Sequence, residues 1–207
     1  GPNDFNRIEG NTLDNHERLN GHDSDIASIN STLSSHNSRI SSNTNRLNNI
    51  EDGSSLALGQ GASTGISSVA LGYDAWATGV SSVALGHNAT ATEDYSVGLG
   101  YYTAATGVSS VALGHNATAT KESSVALGYK TSAIGSSSVA LGRDALAVGH
   151  TSTALGYNAE AAGNYSTALG RDALAGDSST ALGHGASAAG HTSTALGYNA
   201  EAAGNYS

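Results

Sequence analysis

Gly79-Val80-Ser81-Ser82-Val83-Ala84-Leu85-Gly86-His87-Asn88-Ala89-Thr90-Ala91-Thr92 recurs without a change as residues 107–120. A longer copy, His150–Ser166, returns as His191–Ser207. The glycine closing each Ala-Leu-Gly or its variant falls at 59, 72, 86, 100, 114, 128, 142, 156, 170, 183 and 197. The step is 14 residues, with two steps of 13. All eleven units carry Ser four before that Gly and Leu immediately before it. Val or Leu stands three before it in the first seven units, from Leu56 to Val139, and Thr153, Thr167, Thr180 and Thr194 take the place in the last four. Fourteen residues cannot hold two helices and their turns. They can hold two short strands and two tight turns, one rung of a narrow solenoid.

Strand alternation places Val69 and Leu71 on one face of Ser68-Val69-Ala70-Leu71, and Ser68 and Ala70 on the other. In Ala75-Trp76-Ala77 the Ala residues face one way and Trp76 the other. The expectation is that Val, Leu and the Ala pair fill a thin inner core. Ser68 and Ala70 would then face out, on a surface small enough for another chain to approach. Burying each Val or Leu is worth about 1.5–3 kcal/mol, which motivates this choice of register. Trp76, Leu146 and Leu174 would also point outward. Asp74, Asn88, Asn116, Asp144 and Asn158, each two residues after the repeat Gly, supply turn chemistry that tolerates positive φ. Eleven rungs at about 4.8 Å would span roughly 50 Å.

The first fifty residues follow another period. Phe5, Thr12, Leu19, Ile26, Leu33, Ile40 and Leu47 form an a-type row, and Ile8, Asn15, His22, Ile29, His36, Asn43 and Ile50 a d-type row. Seven heptads without a slip predict a coiled coil of roughly 70 Å. Arg18 and Arg46 sit at g positions, five residues before Asp23 and Glu51 at e, the spacing of pairs between parallel neighbours. Ile-rich layers and polar d residues favour three strands. Polar layers at Asn15, His22, His36 and Asn43 fix register and oligomer state. Three converging Asn amides at Asn15 or Asn43 would also suit an axial anion such as chloride.

Composition excludes several classes. Charged residues are 12%, aromatics 5%, with one Phe, one Trp and no Met, too few large side chains for a compact core. No Cys means no disulfide framework and no thiolate metal site. A net charge of -9 argues against nucleic acid as a partner and against anionic membrane. No metal or other cofactor is expected, since lone His rings lack carboxylate or Cys companions. Gly1-Pro2 reads as a tag remnant, and the sequence stops within a repeat at Ser207. The expected division is residues 1–2 tag, 3–52 stalk segment, and 53–207 a head of about eleven rungs cut short at its C-terminus, all part of a longer protein.

Units such as Ser82-Val83-Ala84-Leu85-Gly86 and Ser138-Val139-Ala140-Leu141-Gly142 resemble the head repeats of trimeric autotransporter adhesins of the YadA type, over about residues 54–207. The heptads with Asn at d are similar to that family's stalks, where such layers hold anions on the axis. The resemblance implies a left-handed parallel β-roll, joined side by side as a homotrimer and displayed on the outer membrane. It implies binding to extracellular matrix protein or another host or cell-surface ligand, with membrane contact only through a C-terminal anchor absent from this sequence. Here a coiled coil precedes the head, whereas the simplest members begin with the head. Similar heads also suit phage tail fibres, so a virion is the alternative location.

The residue after each repeat Gly is usually large: Tyr73, His87, Tyr101, His115, Tyr129, Arg143, Tyr157, Arg171, His184 and Tyr198. At an outward turn such bulk covers the rung below. The same side chains, above all Tyr73, Tyr101, Tyr129, Arg143 and Tyr157 together with Trp76, are the ligand-contact candidates. His87 and His115 lie two rungs apart, about 10 Å, too far to share a metal. The acidic residues Glu160, Glu201, Asp144 and Asp172 are repeat copies, and no Ser-His-Asp group has a setting of its own, so no enzyme is expected. An ice-binding solenoid would need flat Thr arrays, which Ala89-Thr90-Ala91-Thr92 begins and the following unit breaks. A glycan hydrolase would need a paired-carboxylate cleft that a thin rung cannot form.

Overall fold

The computed structural model describes the backbone of residues 1–51 and 54–207, and their side chains except those of Phe5, Asn6, Arg46, Asn49, Ile50 and Glu51. The chain divides into two compact units, Gly1–Asn48 and Asn49–Ser207.

The first unit is one helix, Pro2–Glu51. Pro2 stands at its first position, where a missing N–H costs nothing. Asp4 accepts from the amino terminus at 3.0 Å. Ser and Thr are poor helix formers, and here several turn their hydroxyls back on the helix. Thr12 donates to the Ile8 carbonyl at 2.8 Å, Thr32 to Ser28, Ser34 to Asn30 and Ser38 to Ser34. The apolar heptad residues Ile8, Leu19, Ile26, Ile29, Leu33, Ile40 and Leu47 are all more than half exposed on the single chain. Phe5, Ile50, and the Arg46 and Glu51 of the second g–e pair lie outside the described side chains.

The second unit is a parallel β-solenoid. One sheet of eleven strands runs from Ser55–Leu58 to Thr194–Leu196, and the other, also of eleven, from Ser63–Thr64 to Glu201–Ala202. Each rung contributes one strand to each sheet. Register is one of identity: Val83 pairs Val97, Leu85 pairs Leu99, and Trp76 pairs Thr90. Each column along the solenoid therefore lines up equivalent repeat positions, with Val on Val and Leu on Leu through much of the first sheet and varied residues along the outer column of the second. The turns use the predicted chemistry, with Asp74 at φ 48°, Asn88 at 54° and Asn116 at 54°. Gly86 is required twice over, by its φ of 134° and because a Cβ there would run into the Gly100 carbonyl of the next rung.

The direction of the alternation reverses the expectation. Ala70, Ala75, Ala77, Ala84, Ala89 and Ala91 are fully buried, and Ser68 and Ser82 are buried with them. Val69, Leu71, Val83 and Leu85 are only half-buried, on the outer face of their sheet. The reason is space. Two strands joined by tight turns bring the sheets so close that only Cβ-sized side chains fit between them. Burying the serines leaves nothing unpaired, because Ser82 Oγ donates to the Gly79 carbonyl at 2.8 Å and Ser138 Oγ to Gly135 at 2.7 Å. The replacements at Thr153, Thr167, Thr180 and Thr194 thus lie on the outer face, half-buried in the first three and exposed in the last, and their hydroxyls need no partner inside the roll. Trp76 and Tyr73 point outward as expected, with 51% and 47% exposure.

Two rungs place Thr where others place Ala, and both side chains are buried: Thr103 and Thr131. Beside Thr103 the facing strand carries Gly98 in the column of Ala84 and Ala112, which frees room for the extra atoms. Thr131 Oγ1 donates to the Gly142 carbonyl at 2.6 Å. Thr103 Oγ1 has no hydrogen-bond partner among the described residues. The two positions should respond oppositely to the same isosteric change. Thr103→Val removes an unpaired buried hydroxyl and should raise stability by about 1–3 kcal/mol, whereas Thr131→Val should lower it by about 0.5–1.5 kcal/mol. Thermal and denaturant unfolding of both variants checks the pair of signs.

Candidate binding surface

One turn edge of the solenoid gathers the large residues that follow the repeat glycines. Because each column is in identity register, their rings stack. Tyr73, His87, Tyr101, His115 and Tyr129 form an unbroken pile with successive centroid separations of 5.0, 5.2, 5.0 and 5.0 Å. Their planes are tilted by between 13° and 25° there and in the His184–Tyr198 pair, whose centroids lie 5.1 Å apart. Between those two stretches the pile continues through cations. The Arg143 guanidinium sits 5.7 Å from the Tyr129 ring and 5.4 Å from Tyr157, and Arg171 lies 5.7 Å from Tyr157 on its far side. Asp144 and Asp172 accept from Arg143 Nε at 3.2 Å and Arg171 Nε at 3.1 Å. These contacts hold each guanidinium in the stack while partly neutralising it. Lys130 adds a further cation over Tyr129 at 5.4 Å.

Five sequence candidates, Tyr73, Tyr101, Tyr129, Arg143 and Tyr157, thus share one ladder. The ring faces meet one another, so the bulk covers the neighbouring rungs, and mainly edges, hydroxyls and imidazole nitrogens meet solvent. Tyr101 occupies the space between His87 and His115. Among the described residues no group of three His, Cys, Asp or Glu is placed to hold a metal. Trp76 stands apart from the ladder, on the outer face of the second sheet. It borders a shallow depression of about 370 Å³ with Asp74, Asn88, Thr90 and Tyr102. Tyr102 was not singled out in the sequence. Its signal was a Tyr in the αL position that most other rungs give to Asn, Asp or Gly, at φ 53°. On the helix, Asn15, His22, His36 and Asn43 are exposed on the single chain, in the same rows as the exposed Leu and Ile.

A solenoid of 14-residue rungs with a long patterned exterior defines a repeat protein of the kind that presents surface rather than encloses a cavity. The YadA head domain repeat matches residues 63–89, 77–103, 105–131, 128–151, 147–173, 175–200 and 188–207. The chain belongs to that family, that of trimeric autotransporter adhesin heads. No curated protein matches it. Among the described residues no helix is long and apolar enough to cross a membrane.

Tyr101→Ala would interrupt the pile at a ring stacked on both sides. At about 0.5–1.5 kcal/mol per aromatic contact, the loss should reach about 1–3 kcal/mol. Equilibrium denaturation that shows no loss would mean that the ladder adds nothing to the solenoid.

Proposed function

We propose that this chain is a segment of a homotrimeric surface adhesin, with a coiled-coil stalk and a head that attaches a bacterium to host matrix, cells or other surfaces. The observation that carries the proposal is the apolar exterior. Val69, Val83, Val97, Val111, Val125 and Val139 form one column and Leu71 to Leu141 another, both on the outer face of one sheet. Leu113 and Leu141 are 40% and 41% exposed on the single chain. The facing sheet exposes a mixture instead: Trp76, Thr90, Ala104, Thr118, Ser132, Leu146 and Glu160. Covering the Val and Leu columns with two further copies removes from water what the thin Ala core leaves there. The helix supports the same number, since its exposed rows of Leu, Ile, Asn and His suit a three-stranded seam.

In that trimer the second sheet and the ladder edge remain outside, which makes Tyr73, Trp76, Tyr101, Tyr129, Arg143 and Tyr157 the contact residues of the head. The role is structural and adhesive, without a reaction. Membership in the family of adhesin heads supports display on a bacterial surface. Sedimentation equilibrium at micromolar concentration should give three times the 20.5 kDa chain mass. A monomer or dimer would overturn the assembly, and V111D with V125D should dissociate it.

Within the coiled coil the Asn15 and Asn43 layers are proposed to hold chloride ions on the axis, since three amides converge at each. His22 and His36 form polar layers that fix register. Crystals grown in bromide should show anomalous peaks on the axis at Asn15 and Asn43, and the N15I, N43I double variant should melt higher. Absence of both peaks would reject the anion.

A further inference from the structure

Trp76 is the bulkiest side chain of its column and Tyr102 the one aromatic residue of its own, and they border the same depression. Trp76 occupies a column that holds Ser63 before it and Thr90 after it. Tyr102 occupies the αL turn column of Asp74, Asn88 and Asn116, where Lys130 is the other residue that is neither Gly nor Asx. The two residues belong to rungs two steps apart, about 10 Å along the solenoid, with one rung between them. That middle rung supplies Asn88 and Thr90, and Asp74 completes the lining. The volume of about 370 Å³ lies at the small end of ligand sites, which run from about 300 to 1,000 Å³.

We infer that this depression is a subsite for one neutral sugar ring. A pyranose presents an apolar C–H face and a rim of hydroxyls. The exposed indole of Trp76 offers the electron-rich face on which such C–H groups pack. The rim needs groups that both donate and accept, and Asn88, Thr90 and the Tyr102 hydroxyl do both, while the Asp74 carboxylate accepts. The chain's net charge of -9 and the Asp74 carboxylate repel an acidic sugar, which fixes the class as uncharged. A cationic guest would engage the carboxylate and the rings but leave the Asn88 amide hydrogens unmatched. The site rests on the trimer described above, in which the second sheet stays outside.

Trp76 is the only tryptophan, so its emission reports on this site alone. Titration of the full chain with glucose, galactose, mannose and N-acetylglucosamine should give a saturable change for at least one of them, with half-saturation on the order of 1–10 mM. Y102N restores the residue type the turn prefers, so it should fold, and it should weaken binding by about tenfold or more. D74N, also a repeat residue, should weaken it less. W76T, followed by saturation-transfer NMR observed on the sugar, should abolish the signal. No saturable response to any of the four sugars, or an equal response in Y102N, would overturn the subsite. A response to tetramethylammonium alone would overturn it too, in favour of a cation cage. Sedimentation equilibrium on the same samples separates the two proposals, because a chain that remains trimeric without binding sugar loses only the subsite.

Discussion

Everything in the solenoid follows from how little room a 14-residue rung leaves between its two strands. With both turns tight, the sheets approach until only small side chains fit inside, and Ala and Ser, with Thr103 and Thr131 in two rungs, fill the interior. The glycine at each corner is set by the same closeness, since a Cβ on Gly86 would strike the neighbouring rung. Larger aliphatics have nowhere to go but outward. A core of methyl groups yields little burial per residue, and the larger apolar side chains lie in the outer Val and Leu columns.

Period, strand positions, turn chemistry and the alternation were all legible in the sequence. Alternation says which residues share a face, however, and not which face is inside. The assumption that each roll builds its own core from its largest residues chose wrongly. A signal for the correct choice was present in the columns themselves. The place of Val83 is also filled by Leu56 and Thr153, whereas that of Ala84 admits only Ala or Gly98. A column that tolerates changes of shape faces open space, and one confined to the smallest side chains faces a wall. Where Thr103 does enlarge the interior, Gly98 gives way beside it.

The candidate surface was half legible. The large residues after each Gly could be picked out, and their outward direction followed from the turn. Their stacking into one ladder depended on a strict identity register between parallel strands, which periodicity suggests but only backbone pairing fixes. Tyr102 escaped notice because its environment joins three rungs. The Thr residues of the last four rungs change meaning as well. Lying outside the roll, they change its outer face, a row of hydroxyl-bearing side chains in place of Val, while the interior of those rungs stays the same Ala and Ser.

The inter-rung hydrogen bonds, such as Val83 N–H to Ser96 O at 2.9 Å and Gly86 N–H to Leu71 O at 2.8 Å, run along the solenoid and join each rung only to its neighbours. A pull along that axis therefore passes through every rung boundary in series, and each boundary carries the whole load. Strength under tension does not grow as rungs are added; it equals that of the weakest boundary. Only reach grows, by about 4.8 Å per rung. Copying a block such as residues 79–92 into 107–120 lengthens the head without demanding a new fit anywhere, so gene duplication can extend its grasp as fast as it arises.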